Sequence, residues 1–197
     1  MVNNFDLIRN LLTFASDDEF YFVQILQRKK DNPGNVNGSN NSSRLIKAYY
    51  IDSLEKFDNL KDEMIFFAEH FNARVGINLN KRSYYKTAFN VMKKMAEQMH
   101  NKQFRNVRKA YNTCCGIHNG GDKIWLLDVD QKLSDKELND FRLELGGYQP
   151  LGDKVLAYIP SKNGVHVITR GFDLTEFRMN HPDIEVHKNN PTNLYIP

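Results

Sequence analysis

A chain of 197 residues, 41% hydrophobic and 26% charged, can bury a sizeable core without disulfides or a structural metal, and one compact unit is the default expectation. No stretch approaches the ~20 apolar residues of a membrane span, and the start Met1, Val2, Asn3, Asn4 lacks the basic segment and apolar run of a secretory signal, so no membrane is expected and the location reads as cytoplasmic. The adjacent Cys114 and Cys115 give no disulfide framework, and the net charge of +3 is too small to indicate nucleic acid by itself.

In chain order, residues 20–28 and 45–51 are rich in aromatic and β-branched types and predict two strands. Between them, Asp31 to Ser43 is mostly Asn, Gly and Ser with Pro33, too poor in apolar groups to offset its ordering entropy, which predicts a mobile hairpin loop. Leu60, Met64, Phe67, Ala68 and Phe71 follow a helical period, and residues 73–79 predict the next strand. A long helix then starts near Tyr84 with Tyr85, Ala88, Phe89, Met92, Met95, Ala96 and Met99 on one face, which reads as core. Residues 81–109 hold nine Lys or Arg (Lys81, Arg82, Lys86, Lys93, Lys94, Lys102, Arg105, Arg108, Lys109) against the single acid Glu97. Such a run suits a phosphate backbone, and a solvated helix face would give the same pattern.

In the second half, Ile124 to Val129 is an apolar run of strand length, and Ser134 with Glu137 forms a capping box that opens a helix at about residue 135. Gly146 and Gly147 suit the left-handed end of that helix. Residues 154–159 and 164–169 predict two strands joined by a tight turn at Pro160 to Asn163; Asp173 with Glu176 opens a short helix; a last strand begins near Ile184, and 193–196 is a further extended piece. The order strand, helix, strand, strand, helix, strand predicts an α+β fold with a ferredoxin-like or RNA-recognition-type sheet over residues ~122–197. The expected division is an N-terminal α/β module over 1–110 packed on a catalytic module over 111–197.

In that topology the first strand is central, with the third strand on one side and the fourth on the other. Side chains alternate faces along a strand, so Asp128 and Asp130 share one face and Trp125, Leu127 and Val129 the other. His166 stands near the start of the third strand between Val165 and Val167, and Glu185 near the start of the fourth between Ile184 and Val186. Three strands are thus expected to bring two Asp, one Glu and one His to one end of one face. Clustered carboxylates repel unless a cation lies between them, and hard oxygen ligands suit a pair of Mg²⁺ or Mn²⁺ ions; the histidine is better suited to hydrogen-bonding a phosphate. Taken alone, an Asp-x-Asp is weak, since strands often end in acidic turn residues, and a single histidine is more often a satisfied structural one.

These residues resemble the motifs of the archaeo-eukaryotic primase superfamily, which includes primase-polymerases and the polymerase domains of bacterial end-joining ligases. The apolar strand ending in Asp128, Val129, Asp130 is similar to the family's hydrophobic-D-h-D motif. Ser161, Lys162, Asn163, Gly164, Val165, His166 is similar to its S-x-x-G-x-H signature, and Glu185 through Asn189, with Leu194, Tyr195 and Pro197 downstream, to its D-x-x-x-N followed by an aromatic. The resemblance covers roughly residues 70–197. It implies that Asp128, Asp130 and Glu185 ligate metals and that Ser161 and His166 contact the phosphates of an incoming nucleotide, within a nucleotide-binding set that also takes in Lys162, Gly164, Lys188 and Arg170. The sequence departs from the pattern in two places: the third acid is Glu rather than Asp, with Asp183 as a rival, and Lys162 stands where glycine is common.

The expected function is therefore that of a template-directed nucleotidyltransferase, a primase or primase-polymerase, with DNA or RNA template, nucleoside triphosphates, and a helicase or other replication protein as partners. Arg74, Lys81, Arg82, Lys86, Lys93 and Lys94 are the expected nucleic-acid contacts, and Asn78 and Asn80 lie on the same predicted strand as Arg74. The alternatives are a non-catalytic single-strand-binding replication factor of the same fold, or another nucleotide enzyme such as a cyclase or nuclease. Acidic residues on the first strand argue against the aromatic mode by which RNA-recognition sheets bind single strands. Cys114, Cys115 and His118 lack a fourth ligand at a recognised zinc spacing.

Overall fold

The computed structural model describes residues 1–33, 43–117 and 123–197; the loop expected at Asp31 to Ser43 lies largely outside these, as does His118. The fold is mixed α+β, built on two antiparallel sheets. The first comprises β1 (Val2–Asn3), β2 (Glu19–Arg28), β3 (Ser43–Ile51), β4 (Arg74–Ser83) and β9 (Thr192–Ile196), in the order β1-β9-β4-β2-β3. The second comprises β5 (Ile124–Val129), β6 (Val155–Pro160), β7 (Val165–Arg170) and β8 (Glu185–His187), in the order β6-β7-β5-β8. Of the helices, α1 (Phe5–Arg9), α2 (Leu54–Asn59) and α3 (Lys61–His70) serve the first sheet; α4 (Tyr84–His100) and α5 (Ala110–Cys115) follow β4; α6 (Asp135–Gly147) and α7 (Leu174–Asn180) cover the second sheet. No helix among the described residues is long and apolar enough to cross a membrane.

Strand alternation sorts the core into layers. Tyr21, Val23 and Ile25 of β2 and Val75, Ile77 and Leu79 of β4 meet Phe5, Ile8, Phe57, Met64 and Ala68 from α1, α2 and α3. Leu126, Ile159 and Ile168 of the second sheet join the same apolar cluster, so the two sheets are packed together. On its other face the second sheet presents Leu127, Val129, Val165 and Val167 to Phe141 and Leu145 of α6 and Phe177 of α7. The capping box at Ser134 and Glu137 is formed, and the Asp173 carboxylate accepts from the Thr175 N–H to cap α7.

Three expectations change. The 111–197 module gives up its last strand, because β9 pairs with β1 and β4 of the first sheet and ties the end of the chain to its beginning. The positive φ after α6 is at Gly152, not at Gly146 or Gly147, because Gly147 is still helical and Tyr148 leaves the helix with an extended backbone. The face of α4 that reads as core points outward: Tyr85 is 67% exposed, Phe89 55%, Met92 67% and Met99 54%. The side of α4 turned toward the protein carries the buried Thr87 and Gln98 instead.

Candidate active site

The antiparallel ladder of the second sheet sets the site. Asp128 on β5 is directly opposite His166 on β7 and, on its other side, Glu185 on β8. Directly paired residues hold their Cβ atoms about 5 Å apart, so one aspartate has an imidazole and a second carboxylate as flanking neighbours. Leu126 is likewise paired with His187, a residue that sequence reasoning passed over; the period of two that places Glu185 on this face also places His187 there. The His187 Nε2 is 3.2 Å from Glu185 Oε2.

The imidazole of His166 is buried and held from both sides. Its Nδ1 is 2.9 Å from the Thr192 hydroxyl, itself buried on β9, and its Nε2 is 3.5 Å from Asp128 Oδ1. With the ring proton on Nε2, the Thr192 hydroxyl donates to Nδ1 and the N–H faces the carboxylate and the cavity. Burial pushes the His166 pKa below its ordinary value, and this outweighs the opposing pull of the Asp128 and Asp130 charges, with His187 and Arg74 adding to the lowering. The ring is therefore neutral at pH 7.

The turn that leads into His166 has a steric reason for its glycine. A Cβ on Gly164 would stand 2.0 Å from the Val129 carbonyl oxygen and 2.6 Å from the Gln131 nitrogen, so only glycine lets β7 start flush against the end of β5. Ser161 closes the same turn: its N–H donates to the Gly164 carbonyl at 2.9 Å and its Oγ accepts from the Gly164 N–H at 3.0 Å.

These groups open into a cavity of about 520 Å³ at the seam between the two sheets. Asp128, Asp130, Glu185, His166, His187, Ser161 and Lys162 come from the second sheet and its turn, and Arg28, Lys30, Ser43, Arg74 and Gly76 from the first. One wall is therefore anionic and the other cationic. Arg74 is held by a two-pronged pair to Asp31, with Nε and Nη2 each 2.8 Å from a carboxylate oxygen, and Lys162 lies 3.7 Å from the same Asp31. Arg28, Lys30 and Ser43 were missed because nothing local in sequence says that the end of β2 and the start of β3 face a strand about a hundred residues downstream. A second hollow, about 600 Å³, between the chain's start and the β6–β7 turn, has no Asp, Glu or His in its lining.

Several expected contacts lie elsewhere. Lys188 is on the helix side of the second sheet, its ammonium 4.8 Å from the centre of the Trp125 ring, because it alternates with His187. Arg170 ends β7 opposite Ile124, about 13 Å along the strand from His166. Asp183 precedes β8 and is absent from the cavity lining, whereas Glu185 is part of it. Arg82 is 1% exposed and cannot reach a nucleic acid: its guanidinium donates to the Cys115 and Asn80 carbonyls and to Asn189 Oδ1, and burial lowers its pKa to about 10. Asn78 and Asn80, expected on a strand face open to template or solvent, are buried at the seam. The Asn80 side chain pairs with the Ile124 backbone as a peptide would, donating at 2.8 Å and accepting at 2.6 Å, and Asn78 donates to the Asn189 carbonyl at 2.7 Å. Lys81 pairs with Glu19 at 2.8 Å and Lys94 with Glu97 at 3.2 Å. Lys86 and Lys93 lie on α4, which begins about 30 Å along β4 from Arg74.

The donor chemistry of Asp128, Asp130 and Glu185 suits a hard divalent cation, and the backbone sets all three at one strand end. The side chains are not gathered: among the described residues no three His, Cys, Asp or Glu side chains are close enough together to hold a metal ion. Glu185 turns instead to His187, as expected of carboxylates with no cation between them. No family model, curated protein or solved structure matches the chain.

Proposed function

We propose that the chain is a template-directed nucleotidyltransferase of the primase or primase-polymerase kind, with its catalytic groups on a ferredoxin-like βαββαβ unit resembling that of the archaeo-eukaryotic primases. The single observation that carries this reading is the placement of Asp128 between His166 and Glu185 in one ladder, facing a cavity whose opposite wall is cationic. A primer or nucleotide 3′-hydroxyl attacks the α-phosphorus of a nucleoside triphosphate; the bond to the bridging oxygen breaks and pyrophosphate leaves. Mg²⁺ or Mn²⁺ ions held by Asp128, Asp130 and Glu185 would supply activation of that hydroxyl and neutralisation of the departing charge. Arg28, Lys30, Arg74 and Lys162 attract and orient the polyphosphate across the cavity. His166, kept neutral by burial and oriented by Thr192, donates its Nε2 proton to a phosphate oxygen without adding a charge beside the metal ligands. Ser161 and Gly164 act through the turn that sets His166 at the cavity.

The single-strand-binding alternative loses its usual platform, because the face of the second sheet that would receive bases is packed on the first sheet through Leu126 and Ile168. The test is primer extension and de novo synthesis with Mg²⁺ or Mn²⁺ and labelled triphosphates. The wild-type chain is expected to add nucleotides, and Asp128→Ala with Asp130→Ala to lose at least about a thousandfold. Equal incorporation by the double variant would end this reading, and a cyclic or hydrolysed product would move it to another phosphoryl chemistry.

A further inference from the structure

The outward face of α4 has a pattern of its own. Tyr85, Met92 and Met99 recur every seven residues, with Ala88 and Met95 between them, the 3.5-residue period of a helix that packs lengthwise on another helix. Phe89 extends the seam, its ring 4.8 Å from that of Tyr85, and the two line a shallow hollow of about 330 Å³ with Lys86 and Asn90. At 1.5 Å per residue the seam runs about 21 Å. The rest of the molecule does not use it: α4 packs on α5 and β4 through its other side, where Thr87 and Gln98 are buried.

We propose that this seam docks one acidic amphipathic helix of a partner protein. Lys86 and Lys93 stand beside the seam, seven residues apart, within the stretch 81–109 that holds nine basic residues and the single acid Glu97; they match acids at the same spacing on a docked helix. A second copy of this chain is disfavoured, because a two-fold interface is self-complementary and sets these lysines against their own counterparts. Single-stranded nucleic acid needs ring faces on which bases stack; here two rings pack on one another and the remainder of the seam is Met and Ala. Methionine adapts to the side chains of an incoming helix. A bilayer is served by Trp, Phe and Leu, and the two alanines leave notches that a partner's side chains fill.

The inference does not depend on the proposed reaction. Its test uses the full chain and a synthetic helix of roughly three heptads with Leu at the a and d positions and Glu on both flanks, followed by fluorescence anisotropy. The Glu peptide is expected to bind, to weaken as salt rises, and to lose at least about tenfold in affinity with Met92→Glu, while a peptide with Lys in place of Glu does not bind. Circular dichroism of Met92→Glu is expected to match the parent, since Met92 touches little of the fold. Failure of the Glu peptide to bind, or equal binding to Met92→Glu, overturns the proposal. So does binding of oligothymidine, of phosphatidylserine vesicles or of a second copy that the same substitution abolishes.

Discussion

The seam between the two sheets and the outer face of α4 have exchanged the chemistry that position usually dictates. Inside the seam lie a guanidinium, two asparagine amides, an imidazole and a wall of carboxylates; outside, on α4, lie Tyr85, Phe89, Met92 and Met99. The buried polar groups are tolerated because nearly every one is matched: Asn80 completes the backbone pairing of Ile124, and Arg82 donates to three acceptors. Unpaired, each would cost roughly 1–3 kcal/mol. The exposed apolar groups obey no such accounting, since leaving a hydrophobic side chain in water forgoes a gain and breaks nothing. Polar order in the seam is therefore structural, and apolar order on α4 is a property of a surface.

That difference can be broken most severely at Gly164. Adding a single methyl with Gly164→Ala is expected to cost about 3 kcal/mol or more in urea unfolding, because the new Cβ meets the backbone of Val129 and Gln131 rather than a movable side chain. Next comes Arg82→Met, which keeps length and removes the donors: stranding the Cys115 and Asn80 carbonyls is expected to cost about 2–4 kcal/mol, and a variant as stable as the parent would show that the guanidinium is dispensable in the seam.

The cationic wall gives a smaller effect with a defined sign. Burial opposes the charge of Asp31, yet the hydrogen bonds from Arg74, with the Lys162 and Arg28 charges, hold its carboxyl below the usual range. A carboxyl depressed in the folded state contributes stability that is complete above its unfolded value, about pH 4, and is lost as pH falls through the lower folded value. The pair is expected to contribute about 1–2 kcal/mol at neutral pH, and Arg74→Gln to flatten the acid limb of a stability-against-pH curve. An unchanged limb would mean that the pair does not hold the wall.

The smallest effect belongs on α4. Met92→Ala is expected to change stability by less than about 0.5 kcal/mol, whereas Met64→Ala, at a residue with no exposed surface, is expected to cost about 2–5 kcal/mol. Equal costs in thermal or urea unfolding would erase the contrast between the two regions.

What could be read from the sequence was local or periodic. Strand alternation set Asp128 and Leu127 on opposite faces, the Ser134 and Glu137 pair marked the start of α6, and the glycine in the β6–β7 turn stood out beside His166. What could not be read was which side of an element the rest of the protein occupies. The 3.6-residue period of α4 identified an apolar stripe but not the direction it faces; that is decided by how α5 and β4 pack on it. The same limit hid Arg28, Lys30 and Ser43, which reach the cavity only because two sheets formed from distant segments are stacked. It also hid β9, whose short extended run joins whichever sheet has an open edge beside it. Arg82 was misread as a surface cation because charge alone does not tell that three acceptors are waiting inside.

The central claim is that Asp128, Asp130 and Glu185 together form a divalent-cation site at the seam. Titration of Mn²⁺ into the purified chain, with free ion followed by electron paramagnetic resonance, tests it without requiring turnover. The account predicts saturable binding that tightens when a nucleoside triphosphate is added and falls at least about tenfold in Asp128→Asn with Asp130→Asn. Mn²⁺ affinity that is absent, or the same in the parent and the double variant with triphosphate present, would contradict it.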